Sequence, residues 1–125
     1  CEYVRSDICL PLMTTGKPLV WLHGEVKTPP FSSAARVQAG FLLRRLQNGE
    51  LIDMPASRPM PSIGPGCHEL RVDDGPTTWR IAYAIQVEAI VILEVFQKKS
   101  RTTPKQVIEL AKRRLRAYQR AIRGD

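Results

Sequence analysis

Two arginines, Arg71 and Arg80, flank an Asp-Gly reversal in the stretch His68-Glu69-Leu70-Arg71-Val72-Asp73-Asp74-Gly75-Pro76-Thr77-Thr78-Trp79-Arg80. A turn centred near Gly75 sets them roughly opposite each other on neighbouring strands. Like charges facing across a ladder cost about 0.2 to 1 kcal/mol, a penalty more readily carried where an anion sits between them. Farther along, Lys98, Lys99 and Arg101 follow the end of an apolar run and reach the same region. Five cations on a sheet face and its edge suit the backbone of a bent, single-stranded RNA.

The neighbours of these cations have two readings each. Glu69 is a candidate general base, and a salt bridge to a nearby arginine is the simpler account. His68 is a second candidate acid or base, but it shares a strand face with Leu70 and Val72, as a core histidine would. Trp79 and Tyr83 read as core rather than as platforms for stacked bases. Lys105, Lys112 and Arg116 extend the basic surface, and a stripe of this kind on a terminal helix also serves as an ordinary solvated face. No Ser-His-Asp arrangement, phosphate loop or metal-ligand cluster is visible, so no metal or other cofactor is expected.

The elements that must position these residues can be read from periodicity. Pro18 to His23 is a short apolar run suited to a first strand, ended before Pro29-Pro30. Ser32 or Ser33 can cap a helix beginning at Ala34, with Ala35, Ala39, Leu42, Leu43 and Leu46 as its buried stripe and Asn48-Gly49 as its stop. Leu51 to Gly66, rich in proline and glycine, reads as a stiff connector. His68 to Val72 and Thr78 to Ile85 alternate as strands about the Asp-Gly turn. Ala89 to Phe96 is apolar on both faces, as a central strand is.

The closing helix carries Val107, Leu110, Ala111, Leu115, Tyr118 and Ile122 as its apolar stripe. Lys112, Arg116, Arg120 and Arg123 form its basic stripe, and Glu109 can pair with Arg113. Thr103 and Gln106 are spaced as a capping box, with Pro104 at the first helical position. The order predicts an α+β single small domain. Its sheet is mainly antiparallel, with an N-terminal helix region and a C-terminal basic helix. Residues 1–16 show no clear period and read as a mobile N-terminal extension to a domain over 17–125.

Composition narrows the partners. The 125 residues carry 19 Lys+Arg against 12 Asp+Glu, a net charge of +7, and the excess is concentrated at one end. From Lys98 to Arg123 the only acid is Glu109, so the positive field belongs to the C-terminal quarter. Such a field points to nucleic acid, an anionic surface or an acidic protein. Cys1, Cys9 and Cys67 show no CxxC spacing, which argues against a disulfide framework or zinc site and for a reduced, cytoplasmic home. No apolar run approaches a membrane span.

Taken in order, PLVWLHGEV, SIGPGCHELRV, WRIAYAI, VILEVFQKKSRTTP and IELAKRRLRAY resemble the phage-derived, HigB-like branch of the RelE/ParE toxin superfamily. The likeness runs from Lys17 to Tyr118. It implies a RelE-like fold and a type II toxin held inactive by a cognate helix-turn-helix antitoxin. Its activity would be metal-independent endoribonuclease cleavage of mRNA on the ribosome, with the RNA's own 2′-hydroxyl attacking the adjacent phosphate. By position, Arg80 matches the strand arginine at the scissile phosphate, Lys98 and Lys99 the basic pair after the last strand, and Arg71 a basic strand residue beside them. Arg101, Lys105, Lys112 and Arg116 would bind RNA around them. The segment Ser100 to Lys105 lacks the aromatic or histidine that some relatives carry there. Either Lys105 or His68 substitutes for it, or charge alone does the work, or this member cleaves poorly. The alternatives on the same fold are ParE-type inhibition of DNA gyrase and an inactive RNA- or protein-binding domain.

Overall fold

The computed structural model describes residues 16–22, 31–97 and 102–124. Gly75, at φ +63°, takes the left-handed conformation that a tight reversal requires. It joins β3 (Cys67–Asp74) to β4 (Thr77–Ile85), which pair antiparallel along their whole length. A second reversal leads to β5 (Ile90–Gln97), antiparallel to β4. The short β1 (Leu19–Trp21) adds to the far side of β5 in parallel, so β5 is a central strand, as its two apolar faces predict. With β2 (Ser57–Pro59) on the outer edge of β3, the sheet is five-stranded and mixed, ordered β1-β5-β4-β3-β2. The domain is α+β, with one helix against each face of the sheet.

Helix α1 (Ser33–Gln47) covers one face. Its stripe Ala35, Ala39, Leu42, Leu43 and Leu46 is buried against Leu70, Val72, Trp79, Ile81, Tyr83, Ile90 and Ile92. The Ser32 hydroxyl caps the helix by accepting from the Ala35 amide at 3.1 Å. The start of the helix is also tied to the β3–β4 turn. Asp74 Oδ2 accepts from the Ser32 amide at 3.0 Å and from Trp79 Nε1 at 3.2 Å. The bonds from Ser32 hold the Asp74 carboxyl below its ordinary range.

Helix α2 (Lys105–Arg123) lies along β5 on the other face. Here Ala82 and Ala84 let Ala111 and Leu115 approach the sheet, and Val91, Leu93, Met60 and Ile63 complete the core. A β-bulge shifts the β4–β5 register between Ala82 and Tyr83. Leu93 is the extra residue, lying between Ile92, which opposes Tyr83, and Glu94, which opposes Ala82. Arg114 clips the bulge to the helix, donating to the Leu93 carbonyl at 2.6 Å and to Glu94 Oε1 at 3.3 Å.

Four expectations change in the structure. The connector over Leu51 to Gly66 contains β2, where Pro59 is accommodated on an edge strand that needs no outward N–H. The capping box does not form: Pro104 is itself the N-cap of α2, and no side chain caps the helix. Ile122 is 57% exposed, beyond the part of α2 that meets the sheet, and Ile108 packs on the core instead. Glu109 approaches Lys112, one turn on, at 3.9 Å.

Candidate functional site

Strand alternation places Arg58, Glu69, Arg71 and Arg80 on the α2 side of the sheet, toward the end where β5 finishes. Arg58 opposes Glu69 across the β2–β3 ladder, and Arg71 opposes Arg80 across the β3–β4 ladder. The direct Arg71–Arg80 pairing is the one that the turn residues imply. Because α2 follows β5, this end of the β2–β3–β4 face keeps access to solvent: the Arg71 side chain is 43% exposed and that of Arg58 37%.

Glu69 is the anionic centre of the group, and its side chain is fully buried. Its Oε1 lies 3.3 Å from Arg58 Nε and 3.7 Å from Arg80 Nε. Its Oε2 accepts from the Thr103 hydroxyl at 2.7 Å. The Thr103 oxygen in turn accepts from Arg58 Nη2 at 3.4 Å. Arg71 turns outward to Asp73, at 3.0 Å.

Arg80 differs from its neighbours. Its side chain is only 17% exposed, and its buried Nε makes no hydrogen bond. Burial pulls the guanidinium below its ordinary range; Glu69 opposes this, while Arg71 and Arg58 add to it. A desolvated cation with an unused donor, crowded by two other cations, gains more from an arriving anion than a solvated arginine does.

The remaining candidates spread out. His68 lies on the opposite face, stacked on Tyr83 with ring centroids 5.4 Å apart, and lines a cavity of about 210 Å³ with Ser57, Leu51 and Met54. The sheet separates it from Arg80. Lys105 opens α2 and is exposed, as is Arg116, whereas Lys112 is half-buried. Lys98, Lys99 and Arg101 lie outside the described residues. Trp79 and Tyr83 are buried in the α1-side core, where Tyr83 Oη and Ser57 Oγ share a 2.7 Å hydrogen bond. Burial pushes the Cys67 thiol up to about 11, which makes it a poor nucleophile.

Sequence reasoning missed Arg58 and Thr103. Three residues of strand inside a proline-rich segment show no readable period, and the Thr103 spacing suits a cap equally well. It also missed Phe96, which opposes Arg80 across the β4–β5 ladder and packs half-buried on the α2-side core. Among the described residues no group of three or more His, Cys, Asp or Glu side chains could hold a metal ion, and no helix is long and apolar enough to cross a membrane.

A mixed five-stranded sheet with a helix on each face and an arginine cluster at one open end defines a small α+β domain suited to anionic ligands. Residues 30–116 match the family described as Phage derived protein Gp49-like (DUF891), and the chain belongs to that family. The family is RelE-like and related to toxin–antitoxin systems, so an antitoxin is the partner it implies. No curated protein matches the chain.

Proposed function

We propose that the chain is the toxin of a type II toxin–antitoxin pair and cleaves mRNA on the ribosome, in the manner of the HigB-like branch. The observation that carries this reading is Arg80. It is a nearly buried guanidinium with an unused Nε donor, set opposite Arg71, one strand from Glu69 and two from Arg58. A phosphate reaching Arg80 relieves the repulsion and satisfies the donor together.

In this mechanism the 2′-oxygen attacks the adjacent phosphorus and the P–O5′ bond breaks. The products are a 2′,3′-cyclic phosphate and a 5′-hydroxyl, with the proton lost from the 2′-oxygen balanced by the one the 5′-oxygen gains. Arg80 neutralises the charge that grows on the non-bridging oxygens, and Arg58 and Arg71 orient the flanking phosphates. Lys98 and Lys99, which follow β5 in sequence, are assigned to the leaving oxygen, and Arg101, Lys105, Lys112 and Arg116 to the surrounding RNA. Glu69 serves as the counter-ion, since its oxygens are already engaged by Arg58 and Thr103. The reaction runs in the cytoplasm. The antitoxin, a helix-turn-helix protein, competes for the same arginines through an acidic segment, so RNA and antitoxin exclude each other in a competition titration.

Primer extension on mRNA recovered from a translating extract tests the reading. Cuts within translated codons that vanish with Arg80→Ala support it. Intact mRNA together with a DNA-damage response in cells would assign the chain to gyrase inhibition instead.

A further inference from the structure

The cavity beside His68 lies on the α1-side face of the sheet and takes no part in the chemistry above. Its volume, about 210 Å³, is room for one large side chain. Pockets for small-molecule ligands run from about 300 Å³ upward. The floor is rigid: Tyr83 is fully buried, shares a 2.7 Å hydrogen bond with Ser57 and stacks on His68. The rim is apolar and bare, with Leu51 76% exposed and Met54 69%. A small concave pocket with exposed apolar side chains at its mouth has the form of an anchor site for a protein partner.

Strand β2 ties this cavity to the arginine cluster. Ser57 and Pro59 line the cavity, while Arg58 between them projects to the other face and bonds Glu69. Because β2 is an edge of the sheet, a partner segment crossing it meets the cavity on one side and a guanidinium on the other. Such a segment cannot pair as a further strand. The Ser57 amide already donates to the Asp53 carbonyl at 3.1 Å, and Pro59 has no N–H. The contacts must come from side chains, an acidic one for Arg58 and an apolar one for the cavity.

We propose that this cavity is the anchor site of the antitoxin, whose acidic segment crosses the β2 edge, sets a carboxylate against Arg58 and buries one large apolar side chain between Leu51 and Met54. The proposal rests on the reading of the chain as a toxin held by an antitoxin. RNA competes for the same arginines and is the denser polyanion, so charge alone favours RNA. Burial of an apolar side chain is a contribution that a phosphate backbone cannot match. Asp53, which also lines the cavity, repels phosphate and leaves an apolar side chain unaffected.

Acetylated, amidated pentapeptides titrated into the ¹⁵N-labelled full-length chain test the proposal. Each carries Asp at its first position and Trp or Leu at its third, fourth or fifth, with alanine elsewhere. The reference peptide has alanine in place of the anchor. The best anchored peptide is expected to bind about 10- to 100-fold more tightly than the reference, the worth of burying one such side chain. It should also move the amide resonances of Ser57, His68 and Tyr83. Leu51→Asn and Met54→Asn, both at exposed positions, should together remove most of that advantage. They should leave the affinity for decauridine RNA within about 2-fold of the parent, since RNA is held by charge. Arg58→Ala should weaken peptide and RNA alike.

Equal binding of anchored and reference peptides overturns the proposal, as does an advantage that survives both asparagine substitutions. Decauridine that moves the Ser57, His68 and Tyr83 resonances in the parent but not in the doubly substituted chain would make the cavity an RNA subsite, and overturns it too. None of these measurements needs cleavage. A chain that binds the anchored peptide and cuts no mRNA keeps the anchor site and loses the nuclease reading alone.

Discussion

The two faces of the sheet share strands and end differently. The face under α1 is apolar along β3 and β4, where Leu70, Val72, Trp79, Ile81 and Tyr83 are all buried. The face under α2 is apolar only near the helix and gives way to Glu69, Arg71 and Arg80 at the other end. Arg71 lies between Leu70 and Val72 and Arg80 between Trp79 and Ile81, all four in the α1-side core, while Glu69 lies between Leu70 and His68. The apolar face therefore fixes the backbone from which the cations project. Guanidiniums that repel one another are held in place by packing on the reverse side of the same strands.

That division of labour can be broken from either face. The largest effect on folding is expected from Leu70→Ala, at the centre of the α1-side core. It should cost about 3 to 5 kcal/mol in urea unfolding, as large-to-small changes at fully buried sites do. Cleavage by whatever remains folded should be unchanged.

Arg80→Ala should do the reverse. We expect mRNA cleavage to fall by about a hundred- to a thousandfold, the scale for removing one preorganised donor. Unfolding stability should stay within about 1 kcal/mol, because Glu69 keeps Arg58 and Thr103 and the Arg71–Arg80 repulsion is relieved. A large loss of stability would show that the cluster supports the fold.

Glu69→Ala falls between the two. Removing one member of a buried ion pair typically costs about 3 to 5 kcal/mol. Arg58 is 37% exposed and can turn to water. About 2 kcal/mol is therefore expected, seen as a lower urea midpoint.

The smallest effect concerns the link between α1 and the β3–β4 turn. The Asp74 carboxyl is held below its ordinary 3.8 by its bonds from Ser32. A carboxyl depressed on folding contributes stability above its unfolded value and loses it as pH falls through the folded one. The midpoint of thermal unfolding should therefore drop on acidification below about pH 4, and less steeply in Asp74→Asn. Equal slopes for the two proteins would remove Asp74 from the acid response.

Much of this could be read from the chain. Helix α1 lies where its stripe and serine cap predict, and the Asp-Gly turn sets the register that pairs Arg71 with Arg80. Local signals sufficed there because each element repeats its pattern over several turns or pairs. Arg58 was hidden because a three-residue strand repeats nothing. Thr103 was misread because a hydroxyl before a helix has a local partner and a distant one, and only the distant one is used. Ile122 continues the apolar spacing of α2 past the edge of the surface that could bury it.

By itself the sequence determined which residues alternate, where the chain turns and where positive charge accumulates, since periodicity and turn chemistry act over a few neighbours. Tertiary structure decided which helix covers each face, that Arg58 joins Arg71 and Arg80, and that Thr103 stands beside Glu69. Those outcomes depend on contacts between residues as far apart in sequence as Thr103 and Glu69, and such contacts exist only once the layers pack.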